Sequence, residues 1–176
     1  MIISAEELME KYPDFIGQDE SILQEKLDGI ELLIRKYTNN NFQNRNIRFI
    51  GESMRDRIFG GHPFIRVGDT LQISESQVND GLYVVKEVKE DFIRLTKELH
   101  DVPHNMVTKI VYPVDIKQGV VNLMKYECNM RDKVGIKSES ISRHSVTYYD
   151  VNEENQVMGY PVSLLGFLKP YIKARF

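Results

Sequence analysis

Four histidines, one cysteine and a few adjacent acid pairs are the side chains that could do chemistry in this 176-residue chain. His100 and His104 lie four apart, the spacing by which a helix offers two imidazoles to one zinc ion. Pro103 stands between them, and a proline inside a helix loses a hydrogen bond and clashes with the preceding turn. No HExxH pattern or acid-rich partner is nearby, so both read as loop histidines and no metal is expected. Gly60-Gly61-His62-Pro63 is glycine-rich, but no GKS or GxGxxG context follows, so it reads as a turn and not a phosphate cradle. Cys128 could pair with His144 as nucleophile and base. That chemistry needs an exposed, electropositive thiol and a base oriented by a third group, and nothing here supplies them. Cys128 reads instead as a buried structural residue, and Glu6-Glu7 and Glu153-Glu154 as solvated pairs. No catalytic residue and no cofactor is assigned, and the chain is expected not to be an enzyme.

Nucleic-acid binding is a second class to weigh. Arg55, Arg57 and Arg66 lie near Phe59 and Phe64, the mixture that base stacking and backbone neutralisation require. Asp56, Asp69, Glu75, Asp80, Glu87, Glu90 and Asp91 share the same stretch, so no clean positive face is visible. The chain's net charge of −3 does not advertise such binding either. The distribution of charge says more. Residues 1–31 carry a net −7, which leaves +4 for the remainder, and the ending KPYIKARF holds three basic residues and no acid. Such a chain could pair head to tail with copies of itself; two separately solvated faces explain the same pattern.

The elements that must position these residues follow from periodicity. Ser4-Ala5-Glu6-Glu7 is a capping box and opens a short helix to about Lys11, which Pro13 ends. Asp19 caps a second helix running to about Thr38, its stripe formed by Leu23, Leu27, Ile30, Ile34 and Tyr37. Between residues 47 and 112 the period changes. Short apolar or alternating runs, at Ile47/Phe49, Phe64 to Val67, Leu71/Ile73, Leu82 to Val88, Phe92 to Leu95 and Met106 to Val111, are separated by Gly60-Gly61, Gly68-Asp69 and Asn79-Asp80-Gly81 turns. A third helix begins at Asp115 and ends near Met130. Residues 131–143 form a polar segment of little periodicity, residues 145–149 alternate as a strand, and a last helix starts at Tyr160-Pro161.

Length and composition suit one domain, or one with an insert, and exclude a wholly disordered chain. A single cysteine excludes an intramolecular disulfide and fits a reducing compartment. The mostly apolar stretch 162–168 is far short of the roughly 20 residues that cross a bilayer. The acidic N-terminus lacks the pattern of a signal peptide, so a soluble, intracellular protein without membrane contact is expected. The fold class expected is α+β: a small bundle of about four helices, an inserted small β-sheet or barrel, and a short β-hairpin near the C-terminus. Residues 1–43 and 112–176 would form the helical core, and 44–111 the β insert.

Composition and periodicity do not explain the run GIKSESISRHSVTYY at residues 135–149. Together with Gly159-Tyr160-Pro161 and the ending LKPYIKARF at 168–176, it resembles the head–tail connector proteins of tailed phages and prophages of Gram-positive bacteria, also called adaptor or head-completion proteins. The helix beginning at IKQGVV, residues 116–121, fits the same pattern. The resemblance covers residues 114–176 well and 1–43 weakly. It implies a structural protein of the virion neck, made in the host cytoplasm. Such connectors form a ring, twelve-fold in the virion, beneath the portal; they dock the next head-completion or tail protein and let DNA pass. Known family cores often have only a short connection where this chain places residues 44–112, so the insert's role does not carry over.

On that reading the ending Lys169, Tyr171, Ile172, Lys173, Arg175 and Phe176 is the expected portal-binding segment. It would extend beyond Pro170, with aromatic and apolar anchors between basic residues. Lys133, Lys137 and Arg143 are the expected channel-lining residues, making transient and sequence-independent DNA contact. Alternatives are another phage assembly protein, such as a stopper or tail-terminator-like component, and then a nucleic-acid-binding module.

Overall fold

The computed structural model describes residues 1–129, 138–141, 144–147, 156–157 and 159–174. The chain divides into two compact units: Asn41–Tyr112 with Met1, and Ile2–Asn40 with Pro113–Phe176.

In the second unit, helix α1 spans Ala5–Lys11 and opens as its capping box requires, the Ser4 hydroxyl accepting from the Glu7 amide at 3.1 Å. Pro13–Phe15 then form a short 3-10 turn. Helix α2 covers Glu20–Thr38, with the Asp19 carboxylate accepting from the Ser21 and Ile22 amides. Asn39 ends it in the left-handed conformation, φ 48°, which asparagine tolerates better than most residues. Leu23, Leu27, Ile30, Leu33 and Ile34 are buried along one face. Helix α3 runs Val114–Asn129 and buries Ile116, Val120, Val121, Leu123 and Met124.

The first unit is a closed antiparallel barrel. Its strands are β1 (Gln43–Met54), β2 (Arg57–Phe59), β3 (Thr70–Ser74), β4 (Gly81–Val88), β5 (Phe92–Leu95) and β6 (Val102–Ile110). Their order around the barrel is β1-β2-β5-β4-β3-β6, and β6 returns to β1. Alternate residues point inward, so Ile58, Leu71, Ile73, Val85, Ile93, Leu95 and Val107 fill the interior, with Ile65 and Leu99 added from loops. The twelve-residue β1 is long enough to pair with both β2 and β6, and its register shifts twice against β6. Such bulges bend a strand around a barrel. At Gly51 a Cβ would stand 2.4 Å from the Phe59 carbonyl oxygen, so only glycine permits the close strand approach there.

This barrel overturns the expected fold class of a helical bundle bearing a small insert. Its six strands close on themselves around a buried core of their own, which a small appendage to a bundle would not have. Closure follows from β1–β6 pairing, with Gln43 opposite Ile110, which no local pattern announces. Three element assignments also change. Phe64 to Val67 is a loop between β2 and β3, held by the Arg66 amide donating to Asp69 at 2.7 Å. The final helix, Val162–Tyr171, is 3-10: its buried Leu165 and Leu168 lie three apart, the spacing that eclipses in that helix, and Pro170 has no N–H to donate. Ser138–Ile141, inside the supposedly aperiodic segment, form β7, which pairs antiparallel with β8 (His144–Thr147). A further two-residue pair joins β9 (Gln156–Val157) to β10 (Tyr160–Pro161).

Candidate functional site

The C-terminal run is where the structure places most of the described candidate residues together. Lys169 and Tyr171 close the 3-10 segment, Ile172 follows in extended conformation, and Lys173 and Ala174 come after it. Contrary to expectation, Tyr171 to Ala174 do not extend away. Lys173 N–H donates to the Thr38 carbonyl at 2.8 Å, Asn40 Nδ2 to the Tyr171 carbonyl at 3.2 Å, and Asn39 Nδ2 to the Ala174 carbonyl at 2.9 Å. The physical reason is capping: the end of α2 has carbonyls and asparagine amides to satisfy, and the tail backbone supplies partners. The Tyr171 hydroxyl donates to the Asp115 carboxylate at 2.7 and 2.8 Å. That bond to a carboxylate, with some desolvation and the nearby negative charge, raises the phenol above its ordinary pKa.

This strap orients the candidate side chains. Tyr171 is committed to Asp115, whereas Ile172 remains 49% exposed between the exposed Lys169 and Lys173. Ile172 is thus a single exposed apolar side chain between two exposed cations. Arg175 and Phe176 lie outside the described residues, as do Lys133, Lys137 and Arg143. Sequence reasoning missed Asn39, Asn40 and Asp115, which hold the strap. Asn39 and Asn40 directly follow the expected end of the second helix, and their partners in the tail lie more than 130 residues away.

Ion pairs brace the elements beneath. Glu7 accepts from Lys117 Nζ at 2.8 and 2.9 Å and from Lys11 Nζ at 2.6 Å. Burial alone would push the Glu7 carboxyl up, but bonds and attraction from the two lysines outweigh it and hold the carboxyl below its usual range. Lys125 pairs with Asp14 at 2.7 Å and likewise lowers that carboxyl. Cys128 is half-buried, its thiol donating to Gln18 Oε1 at 3.4 Å.

In the barrel, two of the three arginines weighed for nucleic acid, Arg57 and Arg66, are engaged locally, while Arg55 is exposed and only its backbone is hydrogen-bonded, its amide donating to Asp101 Oδ1 at 2.7 Å. Arg57 lies over the Phe92 ring at 4.9 Å and beside Asp56, and the Arg66 guanidinium donates to the Pro63 and Ile65 carbonyls. Arg94 is shared between Asp56 and Glu87, which also pairs with Lys89. Acids and bases thus alternate on this face. A cleft of about 550 Å³ lies beside it, lined by His62, Arg66, Lys89, Glu90, Asp91 and Ile93 among others. Its charges are mixed, and no nucleophile stands beside an oriented base. His62 Nδ1 accepts from the Phe64 amide at 3.3 Å, a turn contact. Among the described residues no cluster of three or more His, Cys, Asp or Glu is arranged to hold a metal ion, and no helix is long and apolar enough to cross a membrane.

No protein-family model matches the chain, and no curated protein matches it.

Proposed function

We propose that the chain is a structural head–tail connector of a tailed phage or prophage, forming a ring beneath the portal and docking the next neck component while DNA passes. The observation that carries this reading is positional. The two stretches that bear the family resemblance, far apart in sequence, fall in the helical unit of Ile2–Asn40 and Pro113–Phe176, while the part without a counterpart forms the barrel unit. The strapped tail supports the same reading, because it sets Lys169, Ile172 and Lys173 outward from a braced segment, and a preorganised segment loses less entropy on binding than a loose one.

The test is reconstitution with a cognate portal ring, followed by imaging and mass measurement. A twelve-membered collar on the portal is expected. The double variant I172D/K173E leaves the backbone strap intact, so its thermal transition should stay within a few degrees of the parent. Its portal affinity should fall at least about tenfold, since losing one apolar anchor and reversing a charge is repeated around the ring. Unchanged portal binding would remove the tail from the interface. A tight, sequence-selective DNA complex at physiological salt would instead favour a nucleic-acid module.

A further inference from the structure

The cleft of about 550 Å³ in the barrel unit has walls that the chain itself fixes. One wall is the loop after β2. Ile65, buried in the barrel interior, pins it; the Arg66 guanidinium donates to the Pro63 and Ile65 carbonyls, and Lys109 Nζ to the Phe64 carbonyl at 3.0 Å. The other wall is the β4–β5 turn, closed by the Lys89 amide donating to the Phe92 carbonyl at 2.9 Å. The Gly60 amide donates to the Asp91 carbonyl at 3.0 Å and ties the two walls together. Ile65, Val88 and Ile93 supply an apolar floor, and Gly60 and Gly61 add no side chain to crowd it. The backbone at Gly61 is in an ordinary conformation, and a Cβ there would meet only the Ile93 side chain, 3.7 Å away. A larger residue would therefore suit the backbone and take up the open space.

The charges at the rim are mixed in number but not in availability. Lys89 Nζ pairs with Glu87 at 2.8 Å, and the Arg66 guanidinium is held by its two carbonyls. Glu90 and Asp91 are exposed, and among the described residues neither carboxylate has an ion pair or a hydrogen bond. The cleft thus sets two free negative charges beside an apolar floor. Past the His62 wall the same fixed loop carries Phe64, 64% exposed, its ring 5.6 Å from the imidazole.

We propose that this cleft binds an arginine or lysine side chain from an extended segment of a partner protein, with an apolar residue two positions further on resting against Phe64. Basic side chains lay their methylene stems along apolar surface and keep the charged head among polar groups. Here the stem lies on Ile65, Val88 and Ile93, and the head reaches Glu90 and Asp91. Residues two apart in an extended chain point the same way at a spacing of roughly 6.5 Å, which suits the step across the His62 ring to Phe64. A nucleic acid is disfavoured, because its phosphates would meet two unpaired carboxylates. This chain's own basic ending does not serve, since the backbone of Tyr171, Lys173 and Ala174 is bonded to the end of α2. Fixed walls lower the ordering cost of binding, but one side chain covers little area, so a short peptide should dissociate on the order of a few hundred micromolar. The site lies in the barrel unit, outside the connector resemblance, and does not rest on that reading.

The deciding experiment titrates the full isotope-labelled chain with the peptide acetyl-Gly-Arg-Gly-Leu-Gly-amide and follows backbone amide signals. Those of Gly60, Gly61, Glu90 and Asp91 should shift saturably, and the same peptide with glutamate in place of arginine should leave them unmoved. The double variant E90Q/D91N should bind at least about fivefold more weakly with an unchanged thermal transition, because neither carboxylate has a partner to lose. Gly61→Leu should fill the floor and abolish binding. Salt at about 1 M, where the Debye length is about 3 Å, should weaken the arginine peptide markedly. The proposal is overturned if the arginine and glutamate peptides bind alike, if E90Q/D91N binds as tightly as the parent, or if oligothymidine shifts the same signals. None of these results bears on portal binding through the tail, which I172D/K173E tests separately.

Discussion

Gly119 and Gly29 show how differently one residue type acts at two positions. A Cβ at Gly119 would stand 2.3 Å from the Phe167 ring, so the glycine lets the 3-10 segment lie against α3. Gly119→Ala should therefore displace a half-buried aromatic ring and cost about 1–3 kcal/mol, seen as a lower urea midpoint for the helical unit. Gly29→Ala should instead stabilise the monomer slightly, since its added methyl meets nothing. In the barrel the corresponding residue is Asn79, 1% exposed. Its amide donates to Ser53 Oγ, the His100 carbonyl and Asn105 Oδ1, and its own oxygen accepts from the His100 amide at 2.8 Å. Asn79→Ala would leave several of these groups buried and unsatisfied, at roughly 3 kcal/mol. Thermal unfolding of the barrel checks it, and a shift of less than a degree would show that water replaces the amide at no cost.

Between elements, the lysine–glutamate contacts decide how stability responds to acid. Lys117 of α3 reaches Glu7 of α1, and the Glu7 carboxyl is held below its ordinary value of 4.5. A carboxyl depressed in the folded state contributes its stability in full above the unfolded pKa. That contribution disappears as pH falls from the ordinary carboxylate range through the lower folded value. The helical unit should therefore lose stability on acidification below about pH 4.5, and Lys117→Met should flatten part of that slope. The sites are partly exposed, so the difference at neutral pH should be only about 0.5 kcal/mol. Denaturant melts of both proteins at neutral pH and in mild acid measure it; parallel pH profiles would show that Lys11 alone holds the carboxyl. Salt should shrink the difference, because exposed pairs are screened.

For the whole molecule, the two ends of the barrel unit meet. Val111 N–H donates to the Phe42 carbonyl at 3.0 Å, and the Phe42 and Tyr112 rings lie 4.9 Å apart. A short Gly/Ser linker from Asn40 to Pro113 can therefore span the gap, and the excised protein should remain soluble and helical, with a rise in helical signal per residue by circular dichroism. Loss of cooperative unfolding would show that the helical unit depends on the barrel. Local chemistry made part of this architecture legible in the sequence. The Ser4 and Asp19 caps and the buried stripe of α2 depend on residues within four positions of one another, and such short-range patterns are written directly in the chain. The resemblance that carries the functional proposal was likewise a matter of contiguous residues. What lay beyond the sequence depends on distant partners: β1 closing onto β6 across some sixty residues, and Asn39 and Asn40 receiving the tail from more than 130 residues away. Ser138–Ile141 became a strand because β8 was there to pair with it. Periodicity tells which side of an element is apolar; which element covers it, and in what register, is decided by loop closure and packing over the whole chain, and only the tertiary structure holds that information.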